Sequence, residues 1–501
     1  MLKNIKPIHY LLSIFLLSLL YAFISMDTLP FKYADIFDEK NYVAIVKNFS
    51  HLLRSQTFTP YYNSRLLIPT IGHCLFRILN IEYTLTNIEA VFLALNFLSI
   101  IVAIYYYFKI AQIKKYSQST TILGFCFLFV NFFILKFSNF YPILMDVFGF
   151  TSGLILYYYY LAKNKVKFYT SLLIFMFIFP TTILIVLALI TANFIVFNEK
   201  GIEIKKHIKT YRLVIFIPII LSLLYFYYHN YDLLILKTAS DFSIQSAAGL
   251  IPITIFLLGG FIFLALKYIL PLLDKIYLNL KGYSSSMFIF PVGILVTYFL
   301  VSKYLSFNFH GQNTLSLEKF LFNIAQQATS FPLKFLITHF IYYGIFIIFI
   351  LYFHRIFFSY MRKTDSFQKI ILIIFILFSL GTETRQFLQL YPFVVILFLD
   401  SIKEYKFNIK LLIGIFAFQL VWSRFWYTIN SPEGFLNNAF PGPNFLEFPS
   451  QRYFQFQGPW LSTNNSMIYG GILLITYIIF RKILKLYLVE PQNITMIKDS
   501  E

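Results

Sequence analysis

Acidic residues that could take part in catalysis stand close to the amino terminus. Asp35, Asp38 and Glu39 follow an apolar run at residues 8–26. A carboxylate in this position can act as a general base toward a hydroxyl group, or it can bind a divalent cation. Asp38 could equally cap the helix that follows, and a purely structural role is also open for Asp35 and Glu39.

A further acidic candidate, Asp146, stands at the start of an apolar run at residues 144–162. A charged residue entering a membrane helix is costly, so its presence suggests a functional role. Capping of the helix is the alternative. Together with Asp38, Asp146 could hold Mg²⁺ or Mn²⁺, although the sequence contains no firm ligand set and no cofactor is certain.

Arginine residues predict where an anionic group would bind. Arg65 and Arg385 could each form paired hydrogen bonds to phosphate oxygens. Glu383 lies two residues before Arg385, so a structural ion pair between them is the alternative. Arg65 could instead extend along the membrane interface, and the same alternative holds for a third candidate, Arg452.

Glu39, Tyr42 and Glu383 are also candidates for substrate binding, and histidine and aromatic residues complete the set. His310 could bind phosphate or sugar, although a lone histidine is more often an ordinary polar loop residue. Several aromatic residues could stack on sugar rings, or they could be the usual aromatic belt at a membrane interface: Tyr61, Tyr62, Trp422, Trp426 and Trp460.

The composition indicates the kind of scaffold that must position these side chains. Hydrophobic residues make up 58% of the 501 residues and charged residues 13%, against about 25% charged in soluble domains. A soluble fold of this length could not bury so much apolar surface. The net charge of +19 comes from short basic clusters between apolar runs, a pattern typical of cytoplasmic loops rather than of nucleic-acid binding. The two cysteines, Cys74 and Cys126, indicate neither a disulfide framework nor a metal site.

Hydropathy predicts an all-α polytopic transmembrane bundle of about fourteen spans. The predicted spans are 8–26, 87–108, 119–136, 144–162, 167–179, 181–197, 212–228, 249–268, 286–304, 335–353, 369–381, 387–401, 410–427 and 467–485. Two pairs, 167–179 with 181–197 and 369–381 with 387–401, are short and could instead be tight hairpins of tilted helices. Alternation from a cytoplasmic amino terminus puts every basic cluster in the cytoplasm and predicts that both termini lie there.

The opposite face carries the longer loops and most of the candidate residues. We expect a single transmembrane domain over residues 1–485 and a cytoplasmic tail at 486–501. The extracytoplasmic loops include 27–86 and the proline- and glycine-rich 428–466. Within the first of these, amphipathic patterns from Asp38 and from Arg65 onward predict two helices that lie parallel to the membrane.

The first loop supports a resemblance to a known family. An acidic residue or pair after the first helix, then Tyr42 and a surface helix, then the segment 61–69, is similar to the GT-C-type membrane glycosyltransferases. The resemblance covers about the first 160 residues in pattern and the rest in topology. It implies a GT-C-like fold and makes Asp38 the catalytic aspartate, with Asp35 as the alternative. The chain lacks a clean Asp-x-Asp pair.

The resemblance also implies an activity. Such enzymes transfer a sugar from a polyprenyl-phosphate donor to an acceptor on the extracytoplasmic face, here an envelope glycan, a lipid or a protein. The partners would be membrane lipids and these substrates, with no nucleic acid, and the location would be a bacterial cytoplasmic (inner) membrane. Two alternatives are a cell-envelope polysaccharide polymerase or ligase that uses Arg452, and a transporter or flippase for lipid-linked sugars. The sequence contains no nucleotide-binding loop, serine-hydrolase motif or zinc-protease motif.

Overall fold

A computed structural model describes most of the chain. The described residues are 7–25, 28, 38–202, 208–238, 244–273, 276–278, 285–311, 317–427, 461 and 463–489. Two candidate site residues, Asp35 and Arg452, lie outside them, as does most of the predicted loop 428–466 and most of the predicted tail. The fold and the site are therefore built from the described ranges.

The first half of the chain is almost entirely helical. In chain order its elements are α1 (Pro7–Ile24), α2 (Glu39–Ser55), α3 (Pro60–Asn63), α4 (Leu67–Ile78), α5 (Leu85–Ile113), α6 (Gln118–Phe129), a π-helical turn (Phe133–Phe137), α7 (Ser138–Phe140), α8 (Asp146–Leu161), α9 (Lys165–Phe175), α10 (Thr182–Phe194), β1 (Ile195–Ile202), α11 (Ile208–His229) and α12 (Tyr231–Thr238).

The second half continues the same architecture. Its elements are α13 (Ile244–Ile269), a 3₁₀ turn (Leu270–Leu273), β2 (Ile276–Leu278), α14 (Ser285–Leu305), α15 (Leu317–Thr329), α16 (Lys334–Tyr343), α17 (Ile345–Met361), α18 (Ser366–Phe378), a second 3₁₀ turn (Thr384–Phe387), α19 (Tyr391–Ile402), β3 (Lys406–Phe407), α20 (Ile409–Trp422), α21 (Thr463–Tyr487) and β4 (Leu488–Val489). The short strands pair antiparallel, β1 with β2 and β3 with β4.

The described helices fit a multi-pass helical membrane protein. By length and composition, six of them could cross a membrane, or up to eight if each of two bent pairs counts as one span. Fourteen spans are therefore not shown, although each predicted apolar run coincides with a helix or a bent pair of helices. Several predicted spans do not qualify as membrane-crossing helices because the helices that form there are too short. The 13 residues of α10, for example, extend about 20 Å, whereas the hydrocarbon layer is about 30 Å thick.

One predicted span is broken in the middle. Residues 335–353 were expected to form a single span, but α16 and α17 meet at an angle of 118°. The break lies at Gly344, whose φ of +64° is a left-handed conformation that favours glycine. The Gln419 side chain stabilises the bend, because it accepts a hydrogen bond from the Ile345 N–H (3.0 Å) and donates one to the Tyr343 carbonyl (3.1 Å).

The core centres on α19, a helix with no solvent-facing or lipid-facing side. Residues 393–399 are each at most 1% exposed. This helix packs against α6, α8 and α17, so apolar neighbours surround it. Such a helix is hydrophobic on every face, which explains why its sequence shows no amphipathic pattern.

The first predicted loop contains the two amphipathic helices expected there. α2 begins directly after Asp38, and its buried face includes Tyr42 and Val46. α4 packs against α2 and buries Phe76. His73 joins the two helices, since its ring lies 2.7 Å from the Val46 carbonyl and 3.1 Å from the Ser50 hydroxyl. Together, α2 and α4 form a compact pair of helices beside Asp38, which we call the α2–α4 unit.

Candidate functional site

Arg385 lies at the centre of a group of acidic side chains from three distant parts of the chain. Its Nε is 2.8 Å from Oε1 of Glu383, its Nη2 is 3.9 Å from Oδ2 of Asp38, and its Nη1 is 4.0 Å from Oδ2 of Asp146. Asp38 precedes α2, Asp146 opens α8, and the other two residues lie between α18 and α19. With Arg65, described below, we call these residues the acid–arginine cluster.

The turn that carries Arg385 is held by two side chains, one half-buried and one buried. Oε1 of Gln327, on α15, accepts hydrogen bonds from the backbone N–H groups of Thr382 (2.8 Å) and Glu383 (3.2 Å). His339, on α16, lies 2.7 Å from the Ser379 carbonyl through Nε2 and 2.9 Å from the Thr384 hydroxyl through Nδ1. These bonds fix both ends of the turn, so the guanidinium has a defined position.

Asp38 does not use its side chain as a helix cap within the described part of the chain. Its Oδ1 accepts a hydrogen bond from the Tyr62 hydroxyl at 3.1 Å. Nδ2 of Asn41 donates in turn to the Tyr62 oxygen at 2.7 Å. The carboxylate is thus oriented by a tyrosine while its other oxygen faces Arg385, and the capping alternative does not describe its side chain.

Asp146 occupies the first turn of α8, after the cap residue Met145. It is 4% exposed, and its carboxylate faces Arg385. A negative charge is favourable at this end of a helix because the backbone dipole presents its positive end there. Asp146 therefore both suits the helix start and contributes a second carboxylate to the cluster.

Arg65 is the second guanidinium at the site. Its Cζ lies 4.3 Å above the centre of the Tyr61 ring, a cation–π contact. Its Nη1 is buried and has no hydrogen-bond partner among the described residues. The Asp38 carboxylate attracts the Arg65 guanidinium, and Arg385 repels it. A buried guanidinium nitrogen without an acceptor is costly, so this geometry favours binding of an oxygen-rich ligand.

Glu39 and Tyr42 lie deeper than the other candidates. Glu39 is 3% exposed, and its Oε1 has no hydrogen-bond partner in the described structure. Burial raises the pKa of Glu39 to about 8, with smaller contributions in the same direction from Glu89 and Asp38. Tyr42 is 1% exposed and packs edge-on against Tyr62, with ring centres 5.6 Å apart. Tyr42 thus supports the ring that orients Asp38.

His310 lies apart from the cluster. It is exposed beyond the end of α14 and makes no hydrogen bond or ion pair with the residues around Arg385. Two residues that shape the site, Gln327 and His339, were not among the predicted site residues. A glutamine inside an otherwise ordinary helix gives no signal in the sequence, because its role depends on a turn formed far along the chain.

Asp38 and Asp146, the predicted ligands of a possible divalent cation, both face the Arg385 guanidinium. Within the described ranges, no group of three histidine, cysteine, aspartate or glutamate residues could hold a metal ion. Chemically, the carboxylates can accept hydrogen bonds from hydroxyl groups, and the two guanidiniums can donate to anionic oxygens.

Comparison with protein-family models, with curated proteins and with solved structures finds no match to this chain. The resemblance to the GT-C-type enzymes therefore stays a prediction from sequence pattern over about the first 160 residues and from topology beyond them. What the structure adds is the placement of Asp38, Asp146, Glu383, Arg65 and Arg385 in one region.

Proposed function

We propose that this chain is an integral membrane glycosyltransferase that moves a sugar from a polyprenyl-phosphate donor to an acceptor hydroxyl on the extracytoplasmic face. The observation that carries the proposal is the convergence of Asp38 and Asp146 on Arg385, beside the unpaired buried nitrogen of Arg65. A transfer from a lipid phosphate needs a base for one substrate and a cationic group for the other. The cluster supplies both.

The proposed reaction is a single displacement with inversion. Asp38 takes the proton of the acceptor hydroxyl, whose oxygen attacks the anomeric carbon of the sugar. The bond between that carbon and the phosphate oxygen breaks, and the electron pair leaves with the lipid phosphate. Arg65 and Arg385 stabilise the charge that develops on the phosphate. No step requires a metal ion, because Arg385 supplies positive charge between the carboxylates.

The membrane context supports the same proposal. Basic clusters between the apolar runs favour cytoplasmic termini, and alternation then puts the first loop outside. We propose a bacterial cytoplasmic membrane as the location. The acceptor would be an envelope glycan, a lipid or a protein, each of which can offer a hydroxyl group at that surface.

The test uses purified full-length protein in lipid nanodiscs with radiolabelled undecaprenyl-phosphate hexoses and pentoses. We expect Asp38→Asn to reduce transfer by about 100-fold or more while the protein remains folded. Asp232→Asn, which changes an exposed acid on α12, is the matched control and should retain activity. Full turnover by Asp38→Asn would show that Asp38 is not the base. Movement of the lipid-linked sugar across the bilayer without a covalent product would favour a flippase.

A further inference from the structure

An apolar cavity lies behind the turn that carries Arg385. It has a volume of about 780 Å³, and apolar side chains from α13, α16, α17, α18, α19 and α21 line most of it. The polar residues in its wall are few: His339, His354, Ser379 and Ser466 are examples. The cavity lies outside the acid–arginine cluster, whose charged residues do not line it.

The walls of this cavity continue onto the outer surface of the helix bundle. Leu264 on α13 and Leu474 on α21 line the cavity, and they are also 58% and 60% exposed. Both helices are long and apolar enough to cross a membrane. The mouth of the cavity therefore lies between two membrane-length helices, where the surrounding medium is hydrocarbon.

The chemistry of the wall determines what can fill the cavity. Ordered water needs two to four polar partners each, and the wall offers few. An apolar space of this size left empty would forfeit the dispersion contacts of the side chains that line it. A hydrocarbon chain satisfies both conditions, since it needs no hydrogen bonds and makes dispersion contacts along its whole length.

We infer that this cavity binds one acyl chain of a membrane phospholipid. The chain would pack against His339 and Phe387, which line the cavity and contact each other with ring centres 5.0 Å apart. His339 also holds the Arg385 turn through Ser379 and Thr384. A bound acyl chain thus supports the back of the candidate site, and this inference does not depend on the proposed transfer reaction.

Photo-crosslinking tests the inference directly. Full-length protein is placed in nanodiscs of phosphatidylcholine that carries a diazirine midway along one acyl chain, and labelled peptides are mapped by mass spectrometry. We expect labels at Phe346 and Val394, which line the cavity and are at most 1% exposed. Labels confined to outward-facing residues such as Leu300, which is 64% exposed, would overturn the inference.

Cavity-filling variants provide the second arm. Ala265→Phe adds a ring to the wall, and Leu474→Trp narrows the mouth at an exposed position that folding tolerates. Each should reduce labelling of Phe346 by about fivefold or more, because the added ring occupies the space of the chain. Gly293→Phe is the matched control, since a side chain there meets open space. Unchanged labelling of Phe346 in both filling variants would contradict the inference. Loss of this labelling on addition of one equivalent of undecaprenyl phosphate would also contradict it, because the cavity would then bind the polyprenyl chain.

Discussion

Arg385 and Asp38 approach each other to 3.9 Å although Asp38 precedes α2 and Arg385 lies just before α19, far along the chain. This separation is longer than a direct hydrogen bond, and the same is true of the 4.0 Å between Arg385 and Asp146. The two terminal nitrogens of the guanidinium are therefore held by charge and remain available to donate to a ligand. Glu383, at 2.8 Å from Nε, anchors the other edge of the same group.

Removal of the Arg385 charge should destabilise the protein. Arg385→Gln leaves the carboxylates of Asp38, Asp146 and Glu383 close together with Arg65 as the remaining cation of the cluster, and we expect a loss of about 3 kcal/mol. Thermal unfolding in nanodiscs measures the effect. The double variant Arg385→Gln/Asp146→Asn should lose less than the sum of the two single changes, because it removes part of the repulsion.

An exposed arginine provides the control for this experiment. Arg77→Gln, at the carboxyl end of α4, should change the unfolding temperature little. Equal losses for Arg385→Gln and Arg77→Gln would show that the carboxylates do not depend on Arg385.

Glu39 should make stability depend on pH. Because its pKa is raised to about 8, the folded protein keeps a proton that the unfolded chain releases near its ordinary pKa of 4.5. Between these values the folded state binds more protons, so stability falls as pH rises, and the loss is complete only above about pH 8. Glu39→Gln cannot ionise, and it should unfold at a higher temperature than the wild type at about pH 9.

The matched control for Glu39 is Glu82→Gln, at an exposed position. It should retain the pH dependence of the wild type. If Glu39→Gln and the wild type lost stability in parallel across this range, the buried carboxyl would not be the source.

Tyr62→Phe tests the orientation of Asp38. The change removes the hydroxyl that donates to Asp38 and accepts from Asn41, while the ring contact with Tyr42 remains. We expect a stability loss of about 1 kcal/mol and a reduction of transfer by roughly tenfold, as for other lost hydrogen bonds to a charged group. Tyr61→Phe keeps the ring beneath Arg65 and should have a smaller effect, so a reversed order would contradict this role.

Gly344→Ala tests the bend between α16 and α17. A Cβ at this position would lie 1.9 Å from Oε1 of Gln419, and the φ of +64° disfavours any side chain. We expect a loss of more than about 2 kcal/mol in thermal unfolding measurements. Gly414→Ala on α20 is the control, since a Cβ there meets nothing within 4 Å and helix propensity favours alanine. A similar stability for both variants would mean that the bend tolerates other backbone conformations.

Much of the helical architecture could be predicted from hydropathy alone. The run 87–108 corresponds to α5, and the amphipathic pattern after Asp38 corresponds to α2. The number of spans could not be predicted, because hydropathy does not distinguish a lipid-facing helix from a short buried one such as α19. The break at Gly344 was also missed, since a single glycine in an apolar run is common and the stabilising partner, Gln419, lies on another helix.

The candidate site was predictable as a set of residue types but not as a geometry. Asp38 is a candidate because a carboxylate after the first span can act as a base, Asp146 because a charge entering an apolar helix is costly, and Arg385 because a guanidinium binds phosphate. Each argument applies to one residue separately. Their common location depends on how α8 and α19 pack, which no local pattern encodes. Gln327 and His339 escaped prediction for the same reason, since their bonds go to a turn that the sequence alone does not bring near them.

The surroundings of α19 bear on how the two parts of the site are held. Arg385 and Glu383 lie just ahead of a buried helix, which anchors their side of the site. Asp38 instead sits at the edge of the α2–α4 unit, which shares no helix with the Arg385 turn. In the proposed reaction, the spacing between base and guanidinium is therefore set by how these two separately built parts of the fold meet.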